Sequence, residues 1–99
     1  MHNNRFFGTL GLAHRAGRCA VGEGAALDCL RRGAARLVVL AEDASDNTKK
    51  RFENGCIHHK TELVVRGCRT ELGRSTGREF AVVVAVKDEG FAKSLTKTE

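Results

Sequence analysis

Leu37-Val38-Val39-Leu40-Ala41 is an unbroken apolar run set between Gly33-Ala34-Ala35-Arg36 and Glu42-Asp43-Ala44-Ser45. A strand with one wet face alternates apolar and polar residues, so a continuous run of this length suits a strand covered on both faces. We read it as the central strand. Helical patterns are then required on either side of it, and the sequence supplies them. Upstream, Ala26, Leu27 and Leu30 share one face of a helix from Glu23 to Arg32. Glu23 favours its positive start, Arg31 and Arg32 its negative end, and Gly33 is its expected stop. Downstream, Ser45 or Asp46 can cap a helix running through Lys49, Phe52 and Cys56 to about His59.

Further out the alternation continues. Leu63-Val64-Val65 predicts a strand and Thr70-Glu71-Leu72-Gly73-Arg74 a short helix, ended by a polar, flexible Ser75-Thr76-Gly77. Phe80 to Val86 is the strongest strand, and Asp88 to Leu95 predicts a closing helix. At the other end Phe6, Leu10 and Ala13, widened by Phe7 and Leu12, predict an amphipathic helix from about Asn3 to Ala16. Asn3 or Asn4 can cap it and Gly17 stops it. Arg18 to Val21 is long enough for an edge strand or an extended link. Strands alternating with helices imply parallel crossovers, and hence an α/β fold: a three-layer α/β/α sandwich of about four strands, in one domain over residues 1–99.

Seventeen Lys and Arg against twelve Asp and Glu give a net charge of +5 and a pI near 9.4. An anionic partner is expected, although the bias alone fits nucleic acid, acidic protein or anionic membrane. Apart from Lys49-Lys50-Arg51 the cations are scattered, and such a run is more often a solvated helix face. Cys19, Cys29, Cys56 and Cys68 lack C-x-x-C spacing, and His58-His59 near Cys56 do not complete a tetrahedral zinc pattern, so no metal is expected. No apolar signal segment follows Met1, which points to reduced thiols in a cytoplasmic protein, and no run approaches the ~20 residues of a membrane span.

An enzyme would need a nucleophile with its base, paired carboxylates or a metal cluster, and none is legible. Glu42 and Asp43 follow the central strand, where α/β sites often lie, but helix-start electrostatics is their simpler explanation. Cys29 reads as a small core residue, and His14 beside Arg15 equally as a phosphate contact or a surface histidine. Gly22-Glu23-Gly24 resembles half of a phosphate loop without its Lys-Ser/Thr, and it lacks G-x-G-x-x-G spacing. Spacing alone supports two readings equally: a tight turn, or a helix start whose unpaired N–H groups and dipole attract phosphate. Five Phe with no Tyr or Trp, three of them on core spacing, argue against a stacking platform for single strands. Arg15, Arg18, Arg74 and Arg78 flank the glycine-containing loops, and their guanidinium forks suit phosphates and guanine edges.

From Phe6 to Leu95 the chain resembles the bacterial YlxQ-type proteins, within the superfamily of kink-turn-binding ribosomal proteins that includes large-subunit L7Ae and L30e. The resemblance rests on an ordered set: GLAHRAGR, then GE before a helix ending RRG, then ARLVVLAEDASDNTKK, ELG, and VVVAVKDEGFAK. It implies a mixed four-stranded sheet, no enzymatic activity, no cofactor, and binding of structured RNA. The implied RNA surface joins the start of the second helix (Gly22, Glu23, Gly24, Ala25, Asp28) to the loop from Ser75 to Ala81. In that loop, which holds Arg78, Glu79, Phe80 and Ala81, small and apolar residues would pack on flipped bases while Arg78 meets backbone. Ser45 and Lys49 occupy positions that approach RNA in relatives.

The common kink-turn pattern places Asn-Glu at that helix start and Lys three positions later; here those positions hold Gly24, Ala25 and Asp28. Asp28 in place of a lysine changes the local charge by two units against phosphate. Three outcomes stay open: binding carried by Arg15, Arg18, Arg74 and Arg78, recognition of another RNA shape, or a shifted register that uses Glu23. The expected partners are structured RNA, with ribosomal RNA and the ribosome as candidates, for a monomer that does not engage membrane. An adaptor for proteins of translation or transcription, with a drifted RNA site, is the alternative.

Overall fold

The computed structural model describes residues 2–97, with side chains from residue 5. In chain order the elements are α1 (His2–Arg15), β1 (Cys19–Val21), α2 (Glu23–Arg31), β2 (Leu37–Leu40), α3 (Asp46–His59), β3 (Glu62–Val65), α4 (Arg69–Ser75), β4 (Val83–Val86) and α5 (Glu89–Lys97). α1 starts at His2, so Asn3 and Asn4 fall within its first turn rather than at its cap.

The sheet has four strands in the order β1-β4-β2-β3. Every residue of β2 is buried, as the apolar run requires, because β3 and β4 flank it and helices cover both faces. Phe6, Leu10, Leu72, Ala92 and Leu95 of α1, α4 and α5 pack with Leu37, Val39, Val84 and Val86 on one face. Ala26, Cys29, Leu30, Phe52 and Cys56 of α2 and α3 pack with Val38, Leu40, Val83 and Ala85 on the other. This is the three-layer α/β/α sandwich. Truncating the fully buried Phe52 to Ala would cost about 3–5 kcal/mol.

Parallel crossovers hold for one neighbouring pair, β2 with β3. β4 runs antiparallel to both β1 and β2, so the sheet is mixed, and β1, β2 and β3 share one direction. The cause lies in the connection from β3. Val65 and Val83 both pair with Leu40, so the segment through α4 returns the chain to the end of the sheet that it left, and β4 must enter head-on. β4 is also shorter than Phe80–Val86. The Ala81 N–H donates to the Arg69 carbonyl (3.0 Å), which ties that stretch to α4 instead of the ladder.

Three ends were well marked in the sequence. Gly17 (φ +75°) and Gly33 (φ +72°) take left-handed turns after α1 and α2. Ser45 caps α3, its hydroxyl accepting the Thr48 N–H at 3.2 Å. All four cysteines are unbridged, and burial pushes the Cys19 and Cys56 thiols up to about 11 from the ordinary 9.0.

Candidate functional site

Because β1, β2 and β3 point the same way, the starts of α2, α3 and α4 gather at the carboxyl end of these strands. The loop from Thr76 to Val82 reaches the same end, since it leads into Val83. Helix starts carry unpaired N–H groups and the positive end of the dipole, so this edge of the sandwich presents donors to an anionic ligand.

Gly22 is the hinge of the arrangement. Its φ of +96° is one that side-chain-bearing residues rarely adopt, and its N–H donates to the Val83 carbonyl at 2.9 Å. A Cβ there would stand 3.4 Å from Nη1 of Arg78, so the guanidinium lies directly over the start of α2. No side chain caps that helix start. Gly24, Ala25 and Asp28 lie exposed on α2. Asp28 does not project a lone charge, because Nε of Arg32 sits 3.2 Å from its Oδ2.

Glu23 faces the other way, toward α3. The Thr48 hydroxyl donates to its Oε1 at 3.2 Å, and Nη1 of Arg51 lies 3.5 Å from the same oxygen. The Ser45 hydroxyl in turn donates to Oγ1 of Thr48 at 3.0 Å. A polar chain of Ser45, Thr48, Glu23 and Arg51 thus clamps the first turns of α2 and α3 together. Lys49, half-buried, stands next to Thr48 in the first turn of α3.

The Thr76–Val82 loop is held from below. A Cβ on Gly73 would come within 2.7 Å of the Glu79 carbonyl oxygen and 2.9 Å of that of Arg78, so the loop backbone rests on α4 where a side chain is missing. Thr76, expected in a flexible segment, is 2% exposed and donates its hydroxyl to the Leu72 carbonyl at 2.8 Å. A buried hydroxyl satisfied in this way fixes the turn instead of loosening it. Phe80 is 54% exposed with the Arg69 guanidinium 5.3 Å from its ring centroid, while Ala81 is buried. Asp43 holds Arg69 twice, accepting its backbone N–H at 2.9 Å and lying 3.7 Å from its Nε. Asp43 therefore does serve a helix start, but that of α4, a long-range partner invisible in a local reading.

The structure brings together Gly22, Glu23, Gly24, Ala25, Ser45, Lys49, Arg78, Glu79, Phe80 and Ala81, with Asp28 one turn along α2. It separates three of the arginines from them. Arg15 lies over Gly11 toward the Ser75 carbonyl, and Arg74 lines a cleft of about 170 Å³ with Phe7, Glu71 and Ser75, so both belong to the α1–α4 flank. Arg18 precedes β1 and stands at the opposite end of the sheet, its carbonyl accepting the Lys87 N–H at 2.7 Å. Arg69 and Thr48 complete the site and were not singled out in the sequence, since both act through partners more than twenty residues away. Among the described residues, no group of three or more His, Cys, Asp or Glu is placed to hold a metal, and no helix is long and apolar enough to cross a membrane.

A helix-covered mixed sheet, with clamped helix starts and a loop packed on α4 at one end, defines a small three-layer α/β domain. The chain belongs to the ribosomal protein L7Ae/L30e/S12e/Gadd45 family, whose model matches residues 4–96. It is 43% identical over 95 residues to the RNA-binding protein YlxQ of Bacillus subtilis, covering 96% of this chain and 95% of that one. It is also 33% identical over 94 residues to large ribosomal subunit protein eL30 of Yarrowia lipolytica, covering 88% and 82%. Among solved structures, a protein of unknown function from Bacillus halodurans superposes with a TM-score of 0.90 at 35% identity, over 94% of each chain. The Giardia lamblia 15.5kD RNA binding protein shares the fold, with a TM-score of 0.82 at 21% identity over 98% of this chain and 87% of that one. The family is a non-enzymatic one of RNA-binding, ribosomal-type proteins.

Proposed function

We propose that this protein binds structured RNA, kink-turn-like or ribosomal, at the carboxyl end of β1–β3, acting as a monomer in the cytoplasm and on or near the ribosome. The observation that carries the reading is the convergence of the uncapped start of α2, the start of α3 and the Arg78–Ala81 loop around Gly22. Arg78 and Lys49 supply phosphate contacts, the α2 amides supply donors, and the exposed Phe80 ring, stiffened by Arg69, offers an apolar face to an unstacked base.

The geometry ranks the routes by which RNA could be read without the Asn-Glu-Lys pattern. A shifted register using Glu23 is disfavoured, because its carboxylate is engaged by Thr48 and Arg51. Asp28, partnered by Arg32, repels phosphate less than a lone carboxylate would, which also weakens the motive for an adaptor with a drifted site. Backbone contacts and shape then dominate over base reading.

Affinity measured against salt tests this. Binding that neutralises several phosphates must weaken steeply as salt rises, with a slope of about −0.7 to −0.9 per phosphate contact. Absence of binding to a panel of kink-turn and ribosomal RNAs at low salt would refute the reading.

A further inference from the structure

Arg18 was expected beside the glycine-opened helix, and the structure instead places it at the far end of the sheet among other cations. The Lys87 N–H bonds to the Arg18 carbonyl and the Arg36 N–H to the Val86 carbonyl, both at 2.7 Å, so the entrances to β1 and β2 and the exit of β4 lie side by side. Arg32, at the end of α2, joins them, and the charges of Lys87, Arg32 and Arg36 all bear on the Cys29 thiol. Arg18, Arg32, Arg36 and Lys87 are all exposed.

Helix ends draw cations, which accounts for His14 and Arg15 on α1, Arg31 on α2 and His58 and His59 on α3. Arg18 and Lys87 are not in a helix, and among the described residues neither pairs with a carboxylate. Arg36 gives Nη1 to the Gly33 carbonyl at 3.1 Å, which leaves most of its fork open. Of the nearby carboxylates, Asp28 and Asp88 have partners and two others lie beside Arg36. Asp28 is paired with Arg32, Asp88 accepts the Phe91 N–H at 2.9 Å, and Glu62 and Glu89 share a cleft with Arg36 and Lys93.

We infer that Arg18, Arg36 and Lys87 form a second RNA-binding surface, which takes the phosphate backbone of a duplex at the end of the sheet opposite the first site. The inference rests on the RNA-binding reading above and extends it to two RNA segments held at once. Phosphates are the fitting ligand because the exposed large apolar side chains are Leu12, Ile57, Val65 and Phe80, and the one aromatic among them lies at the other end. With no exposed Phe ring at this end, this surface reads charge and backbone spacing.

The test compares full-length Arg18→Ala/Lys87→Ala with Lys49→Ala/Arg78→Ala, each titrated with a kink-turn RNA flanked by long duplex arms and with a plain RNA duplex over a range of salt. Melting temperature checks the fold, and Arg18→Lys/Lys87→Arg checks that charge suffices. The expected result is roughly a tenfold loss for the plain duplex in the Arg18/Lys87 variant, with a salt slope shallower by about one to two units and recovery in the charge-keeping variant. Unchanged affinity and slope in the Arg18→Ala/Lys87→Ala variant, with loss in the Lys49→Ala/Arg78→Ala variant, would overturn the second surface and leave the first standing. Failure of the wild-type chain to bind either RNA at low salt would overturn both.

Discussion

The two ends of the sheet are built on different physics. At the carboxyl end of β1–β3 the chain is cross-braced: Gly22 to Val83, Glu23 to Thr48 and Arg51, Asp43 to Arg69, and Glu79 pressed onto Gly73. At the amino end, backbone bonds from Arg36 and Lys87 bring strand ends together while the cationic side chains stay in solvent. One end is a shape and the other a field. Shape is lost when a single buried contact fails, whereas a field of exposed charges tolerates exchange of one cation for another and yields to salt.

The largest break in that contrast should come from Gly73→Val. A side chain there meets the Arg78 and Glu79 backbone within 2.9 Å, so the loop must lift off α4. We expect a stability loss of about 1–3 kcal/mol by chemical denaturation, with weakened kink-turn binding and unchanged binding of plain duplex. Loss of both activities in equal measure would mean the ends are not independent.

Somewhat smaller is the gain expected from Gly24→Asn/Ala25→Glu/Asp28→Lys. Nothing lies within 4 Å of a Cβ at Gly24, its φ is not positive, and Ala25 and Asp28 are exposed, so the three side chains fit without moving the backbone. Restoring the kink-turn pattern on this scaffold should raise affinity for a kink-turn RNA by roughly tenfold, about 1.4 kcal/mol, while plain duplex gains little. An equal gain for both RNAs would show that the added charge acts alone.

The smallest effect should follow Asp43→Ala, which removes the carboxylate that accepts the first N–H of α4 and steadies Arg69 over Phe80. Such helix-start contacts contribute about 1 kcal/mol, so the melting temperature should fall by a few degrees. Kink-turn binding should weaken by less than it does in Gly73→Val, through the loosened Phe80 ring. A rise in stability would assign Asp43 to repulsion instead.

Much of the fold was legible because its signals are local. The Leu37–Ala41 run, the Ser45 cap and the stops at Gly17 and Gly33 each follow from a few adjacent residues. The direction of β4 was not, since nothing within Phe80–Val86 says which strand it will enter beside. At the site, Gly22, Gly24 and Arg78 were named from glycine spacing and resemblance. The clamp through Thr48 and the brace from Asp43 to Arg69 span 25 and 26 residues and leave no local trace. Arg18 misled for a simple reason of length. Four residues from Gly22 in sequence, it is carried about 13 Å away by an extended strand, to the opposite end of the sheet.

The position of β4 also orders events during synthesis. β1 is an edge strand whose neighbour is β4, and β4 is the last strand to leave the ribosome. Until residues 83–86 emerge, β1 has no partner strand and Gly22 has no carbonyl for its N–H. A nascent chain can form the β2–α3–β3 unit early, since its contacts are close in sequence, but the carboxyl end of β1 is braced only when residues 83–86 insert. Chains ending before Val83 would therefore carry a partial fold without the cross-braces that β4 supplies at that end of the sheet.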